Sequence, residues 1–384
     1  MTATSMDLRS ARFFRALAAV PAPPMGFLLA PADRVRSWIL RAVAPRARSL
    51  VVARDRRVAV VGSCLMVTAL ISTSAWPMVF LALGPLVWGV PHIVSDLRYL
   101  VARPGFHRRP WVMAAFAAGI AASFRFGLRG GIAGALAAIL CARTSVRRRA
   151  LGVACAGALF ALAQWAGPVA DLVFAHGHNV VAIGLWWAWR RRESKLHWVP
   201  LVLFAAGCAL ILTGALAPLT RITGGLFAPW TGLTPRSLAW GLSPAPWGPM
   251  AMRLLVLYAF AQSVHYVVWL RLVPEDDRPS PSSRSFVQSF RALRADVGPL
   301  VLWASVLVAV ALAGWAAVSV GAARDGYLRM AFFHGYLELA AGALLWAEGA
   351  ATIADNSRPL RAPSRRNEWN RSGSQQVQPT TSSI

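Results

Sequence analysis

The sequence predicts an all-α, polytopic integral membrane bundle of about ten spans, on three observations. Of its 384 residues, 57% are hydrophobic and only 14% are charged, where soluble domains carry about 25% charged residues. Mean hydropathy is +0.50. Apolar runs long enough to cross a bilayer, about 20 residues each, recur along the chain. These features exclude a disordered chain, a polar solenoid and an ordinary cytosolic enzyme. The net charge of +25 comes from 40 Lys and Arg, of which only Lys195 is a lysine. Such an arginine surplus, beside abundant Ala and Gly, reads as codon bias placed in loops. No compact basic domain stands apart from the apolar spans, so no nucleic-acid partner is expected.

The chain divides into a basic, interfacial N-terminal segment (1–57), a transmembrane domain (58–355) and a polar, disordered tail (356–384). Within the first part, Ser10–Val20 reads as an amphipathic helix with Phe13, Phe14 and Leu17 opposite Arg12 and Arg15. A second helix is expected over 32–43. Both suit the headgroup layer, where Arg meets anionic membrane lipid. No cleavable leader is read before Asp33.

Spans are expected at about 58–75, 77–101, 111–124, 130–142, 150–168, 172–189, 197–217, 249–271, 298–320 and 328–352. The third and fourth are short. Arg125, Arg129 and the Gly130-Gly131 pair interrupt them, so eight spans plus a re-entrant hairpin is the other form of the same prediction. With the N-terminus inside, 33 of the basic residues fall on the cytoplasmic side and 7 on the other. That bias predicts an inner (plasma) membrane protein with both termini cytoplasmic. The 218–248 connection, rich in Pro, Gly and Trp, suits the outer interface. The acidic, Pro-rich stretch 274–284 reads as a solvated loop. The four cysteines, Cys64, Cys141, Cys155 and Cys208, lie in apolar runs without metal or redox spacing and carry no chemistry. No feature selects an oligomeric state. No phosphate-binding loop, dinucleotide fingerprint or hydrolase elbow occurs.

Polar residues inside the spans carry the functional signal, because each costs about 2.5–3.5 kcal/mol on insertion scales. Of seven histidines, His107 and His197 flank loops. His92, His176, His178, His265 and His334 lie in spans or at their ends. His92 and Asp96 stand at i and i+4, on one helix face, and His334 and Glu338 repeat the spacing. His176 and His178 open a span as H-G-H-N, where irregular backbone is expected. An imidazole with a carboxylate one turn away suits a metal ligand whose other ring nitrogen is held by that carboxylate. His-rich sites with open positions suit Fe(II). His92, His178, His265 and His334 are therefore the candidate metal ligands, and Asp96, Glu338 and His176 the residues that orient them. Asp96 and Glu338 have an alternative as structural partners of Arg98 and Arg329. Depth is an obstacle. At about 1.5 Å per residue, His92 and His265 lie roughly 9 Å from the inner arginines, while His334 and the 176/178 pair sit near the outer ends. A shared site then needs helices broken or shifted, as Pro91 and the Gly177 motif permit; otherwise the histidines form two layers.

The run Trp88-Gly89-Val90-Pro91-His92-Ile93-Val94-Ser95-Asp96 resembles the G-[L/V]-P-H-G-x-x-D-H motif of the Brp/Blh family of membrane β-carotene dioxygenases. Gly89, Pro91, His92 and Asp96 match. Ile93 replaces the family glycine and Leu97 its second histidine. The resemblance implies an all-helical protein with a non-haem iron held by histidines of several spans. It also implies a reaction of O2 with a carotenoid-like or other lipid-soluble substrate. Trp88, Trp186, Trp187 and Trp269 are candidates to line the slot. Two other classes remain in view. One is a carrier with a His/Asp/Glu proton or ion relay. The other is a bis-histidine haem protein using His92 and His265.

Overall fold

A computed structural model describes residues 24–189, 194–245, 247–278 and 284–349. The expected helix at 10–20, the Arg-rich 190–193 and the tail at 356–384 fall outside them. Every described element is helical, and eight helical segments are long and apolar enough to cross a membrane. The protein is thus a multi-pass helical membrane bundle.

Helix α1 (Met25–Val52) includes the expected 32–43 segment and exposes Phe27, Val35 and Trp38. α2 (Arg54–Ala75) and α3 (Pro77–Asp96) follow. Prolines start several helices, at Pro77, Pro110 and Pro168. Their missing N–H costs nothing in a first turn. α3 passes Pro85 and Pro91 without a break and widens into a π-helical turn, Leu97–Ala102.

α4 (Pro110–Phe126) and α5 (Leu128–Leu140) form the expected hairpin. At about 1.5 Å per residue they reach only about 26 and 20 Å. The reversal is at Gly127, with φ +56°, not at the Gly130-Gly131 pair. The helices touch backbone to backbone: a Cβ on Gly119 would lie 2.4 Å from the Gly134 Cα. Small residues permit this close approach.

α6 (Val146–Ala166), α7 (Pro168–Trp189) and α8 (Trp198–Thr213) are full spans. The 218–248 connection is not an open loop. It carries α9 (Ala217–Ile222), a 3-10 turn and α10 (Pro235–Leu242). α11 (Gly248–Val267) widens into a second π-helical turn, Val268–Leu272, and ends with the turn Val273–Asp276. α12 (Phe286–Val318) is interrupted by Gly298, at φ +78° and ψ +164°. α13 (Val320–Ala331) and α14 (Phe333–Glu348) join at Phe332 into one 29-residue apolar span.

The acidic stretch 274–284 departs from expectation. Glu275, Asp276 and Asp277 are buried. Arginines draw them in: Glu275 meets Arg57 at 2.6 Å, Arg271 at 2.7 Å and Arg278 at 3.0 Å. Arg103 meets Asp277 at 3.1 Å. A buried carboxylate is tolerable when it is paired in this way.

Candidate metal centre

The four predicted histidines come together. His92 lies 4.8 Å from His334 and 5.3 Å from His265, ring centre to ring centre. His178 lies 5.4 Å from His334 and 5.5 Å from His265, and His265 is 5.8 Å from His334. One ligand nitrogen from each of His92, His265 and His334 falls within 4.8 Å of the others. The rings come from α3, α7, α11 and α14, four different spans.

The expected difference in depth disappears because the spans of His178 and His334 start earlier, at Pro168 and Val320, than their apolar runs suggest. His92 is the sixteenth residue of a 26-residue span, and His178 the eleventh of 22. His265 is the eighteenth of 29, and His334 the fifteenth of 29. All four are near mid-span, so no helix has to break. α7 runs unbroken through His176, Gly177 and His178, contrary to the irregular backbone expected there.

Main-chain carbonyls set the tautomers. The His92 Nδ1 donates to the Gly89 carbonyl at 2.7 Å. The His334 Nδ1 donates to the Ala331 carbonyl at 2.5 Å, and the His178 Nδ1 to the Phe174 carbonyl at 3.3 Å. A carbonyl only accepts, so in each ring the proton is on Nδ1 and Nε2 carries a lone pair. Each donation spans three or four residues back along the ring's own helix. His265 differs, with both ring nitrogens buried and without a hydrogen-bond partner.

The carboxylates are placed differently from the i,i+4 expectation. Asp96 does approach His92, but at the Nε2 side, 3.8 Å away. Glu338 stands beside His265 on another helix, Oε1 to Nε2 3.5 Å, and not against His334. Both carboxylates are fully buried. Trp269 donates its indole N–H to Glu338 Oε1 at 2.7 Å. The other Glu338 oxygen and both Asp96 oxygens have no partner. Neither acid pairs with an arginine. Arg98 is held by Asp296 at 2.7 Å instead. His176 stands apart: its Nε2 donates to the Leu242 carbonyl at 2.9 Å and ties α7 to α10.

The two π-helical turns flank this arrangement. Ser95, the last residue but one of α3, donates its hydroxyl to the Trp269 carbonyl inside the second turn at 2.6 Å. That bond holds Trp269 where it can reach Glu338. Widened turns of this kind are frequent at functional sites. Gly89 has a steric role. A Cβ there would lie 2.2 Å from the Tyr327 ring, so only glycine lets Tyr327 pack against α3.

The histidines border a cavity of about 480 Å³. Its other walls are mostly tyrosines and phenylalanines, among them Tyr258, Tyr266, Tyr327, Phe124 and Phe174, with Ser123, Asp171, Asn179 and Gln262 as polar points. None of the four tryptophans expected to line a slot is among the lining residues. Trp186 donates to Asp276 at 2.8 Å, Trp88 is half exposed and Trp269 lies behind the wall. The Tyr327 hydroxyl is buried without a partner. Tyrosines in apolar helices look like core residues, and the sequence offered no signal that singled them out.

This donor set fits a divalent transition-metal ion. Three imidazole lone pairs converge in a buried space beside two carboxylates with no positive partner. Left alone they repel one another; a cation resolves the conflict. Binding one ion would draw these three nitrogens, now within 4.8 Å of one another, closer together. No family model, curated protein or solved structure was found to match the chain.

Proposed function

We propose that the protein is a membrane-embedded, metal-dependent oxygenase acting on a lipid-soluble substrate, with Fe(II) as the metal. The observation that carries this reading is the convergence of His92, His178, His265 and His334 on an aromatic cavity inside the bilayer span. The likeness of the Gly89–Asp96 string to the Brp/Blh motif adds the reaction class and favours a carotenoid-like polyene. In that class a carbon–carbon double bond and O2 give two carbonyl products.

His92, His178 and His334, with tautomers held by backbone carbonyls, would bind the ion through Nε2, and His265 through either nitrogen. A bound Fe(II) supplies open coordination positions at which O2 chemistry is possible. The chain supplies the rest. Four neutral imidazoles would supply donor atoms, and the two carboxylates would balance the charge of a divalent ion within an apolar interior. Phe124, Phe174 and the tyrosines give an apolar, π-rich surface against which a polyene can lie, and they exclude water from the reacting region. The Tyr327 hydroxyl is a donor free to meet a carbonyl oxygen. The 33-to-7 arginine bias favours an inner-membrane orientation with both termini cytoplasmic.

The test is metal analysis of protein purified without chelator, followed by reaction of the Fe(II)-loaded protein with a carotenoid in detergent under O2. About one iron per chain and aldehyde products are expected. Protein free of transition metal that takes up protons or ions when reconstituted in vesicles would establish the carrier class instead. A haem spectrum would establish the bis-histidine class.

A further inference from the structure

A second cavity, of about 810 Å³, lies on the other side of the wall formed by Pro91, Ser95 and Trp269. It is amphipathic along its length. One end is ringed by Arg36, Arg98, Arg271, Arg278 and Arg284. The other is apolar, with Val90 and Val94 of α3 facing Leu302, Val306 and Ala309 of α12. The kink at Gly298 makes this shape. It separates the stretch of α12 beside the arginines from the apolar stretch, whose outer face exposes Leu307 (65%) and Val310 (66%) to the bilayer.

The positive charge at the arginine end is incompletely balanced. Arg98 is taken by Asp296 at 2.7 Å. Glu275 must serve Arg57, Arg271 and Arg278 together. Among the described residues no carboxylate stands within ion-pair distance of Arg284 or Arg36. Asp33, the acid nearest Arg36 in sequence, accepts the Phe286 and Val287 N–H groups at 2.7 and 3.0 Å. Burial pulls the Arg278 guanidinium down to about 10; Glu275 opposes this, and Arg271, Arg57 and Arg284 reinforce it. An anion placed there would relieve the crowding.

We infer that this cavity binds one anionic phospholipid of the surrounding bilayer. The phosphate would lie among Arg36, Arg278 and Arg284, with an acyl chain along Leu302, Val306 and Ala309. Basic pockets between spans recognise lipid phosphates, and Arg presents a fork suited to phosphate oxygens. A free phosphate would satisfy the arginines but leave the apolar half empty. A neutral lipid would fill that half but leave the arginines unbalanced. The inference does not depend on the metal.

The experiment is native mass spectrometry of the full chain in detergent with phosphatidylglycerol or phosphatidylcholine of the same acyl chains. One phosphatidylglycerol should be retained, at least tenfold more tightly than phosphatidylcholine. The double variant Arg36→Gln/Arg284→Gln should lose about tenfold in that affinity and bind the two lipids alike. Ser305→Trp, which fills the apolar half, should lower binding of both. Circular dichroism and melting temperature serve as the fold control for each variant. Should Arg36→Gln/Arg284→Gln unfold, Ser305→Trp and the wild-type lipid preference still decide the matter. Equal retention of the two lipids by the wild type, unchanged binding in the folded variants, or full displacement of phosphatidylglycerol by millimolar inorganic phosphate would overturn the assignment.

Discussion

Glu275 and Glu338 are both fully buried acids, one past the second π-helical turn and one at the histidine centre, yet their surroundings differ. Glu275 sits among three arginines at 2.6–3.0 Å. Glu338 has one indole N–H at 2.7 Å and an imidazole nitrogen at 3.5 Å. Its neighbour Asp96 has no hydrogen-bond partner. Glu275 thus has its counter-charge within the chain, while the acids of the histidine centre have none among the described residues. A fold that brings arginines to one buried acid and leaves the others without them has the arrangement that the proposed metal ion would complete.

The largest effect that would break this comparison is loss of the ion. With the free metal at about a thousand times its dissociation constant, binding adds about 4 kcal/mol to stability. His92→Ala and His334→Ala should each remove bound metal and abolish this metal-dependent rise in melting temperature, leaving the protein in the membrane. A variant that keeps full metal content would detach that histidine from the site. The arginine-paired acid comes next. Glu275→Gln leaves Arg57, Arg271 and Arg278 without their shared acid and should cost about 3 kcal/mol, with or without metal, in denaturant titration.

The sharpest contrast is one of sign. Glu338→Gln keeps an acceptor for Trp269 but removes an acid that has no positive partner among the described residues. It should therefore stabilise the metal-free form, by about 1–2 kcal/mol, and weaken metal affinity by about 10–100-fold. The same chemical change thus raises stability at one buried glutamate and lowers it at the other. If both changes destabilise the metal-free protein, the distinction between the two acids fails. Comparable in size is Gly89→Ala. Its methyl group would collide with Tyr327 and should cost about 1–3 kcal/mol. Tyr327→Leu should recover much of the loss, as a double-mutant cycle in thermal unfolding would show.

The membrane class and the four histidines were legible in the sequence because both rest on local signals. Apolar length marks the spans, and a polar residue inside a span is conspicuous by its cost. Pairings between helices were not legible. Glu338 lies one turn from His334 yet faces His265, because helix packing decides which neighbour it meets. The depth of the histidines was misread for a related reason. Apolar runs understate helix length: the last span begins at Val320, where Arg324 and Arg329 hid its start. The arginine-paired acids at 275–277 were taken for a solvated loop, since Pro and Asp in sequence give no hint that Arg57 and Arg103 arrive from elsewhere to join the neighbouring Arg271 and Arg278.

The smallest expected effect concerns Asp33, which links the interfacial α1 to the start of α12. Its two carboxylate oxygens accept the Phe286 and Val287 N–H groups at 2.7 and 3.0 Å, donors that a first helical turn cannot satisfy by itself. Burial pushes this carboxyl up, but those two N–H groups, Ser285 and Arg36 together outweigh it and hold the carboxyl below its usual value of 3.8. The sign follows from linkage. A carboxylate with a lowered folded value contributes stability that is fully present above its unfolded value and is lost as pH falls through the folded one. Between about pH 4 and 8 the contact should be intact; below pH 4 it should weaken. An anion at an exposed helix start is worth about 0.3–1 kcal/mol, so Asp33→Asn should change global stability very little. It should instead raise amide exchange at Phe286 and Val287 several-fold at pH 7 and remove the difference between pH 7 and pH 3. Unlike Glu275, this acid takes its hydrogen bonds from backbone N–H groups. Exchange rates unchanged by Asp33→Asn would mean that α12 starts without help from α1.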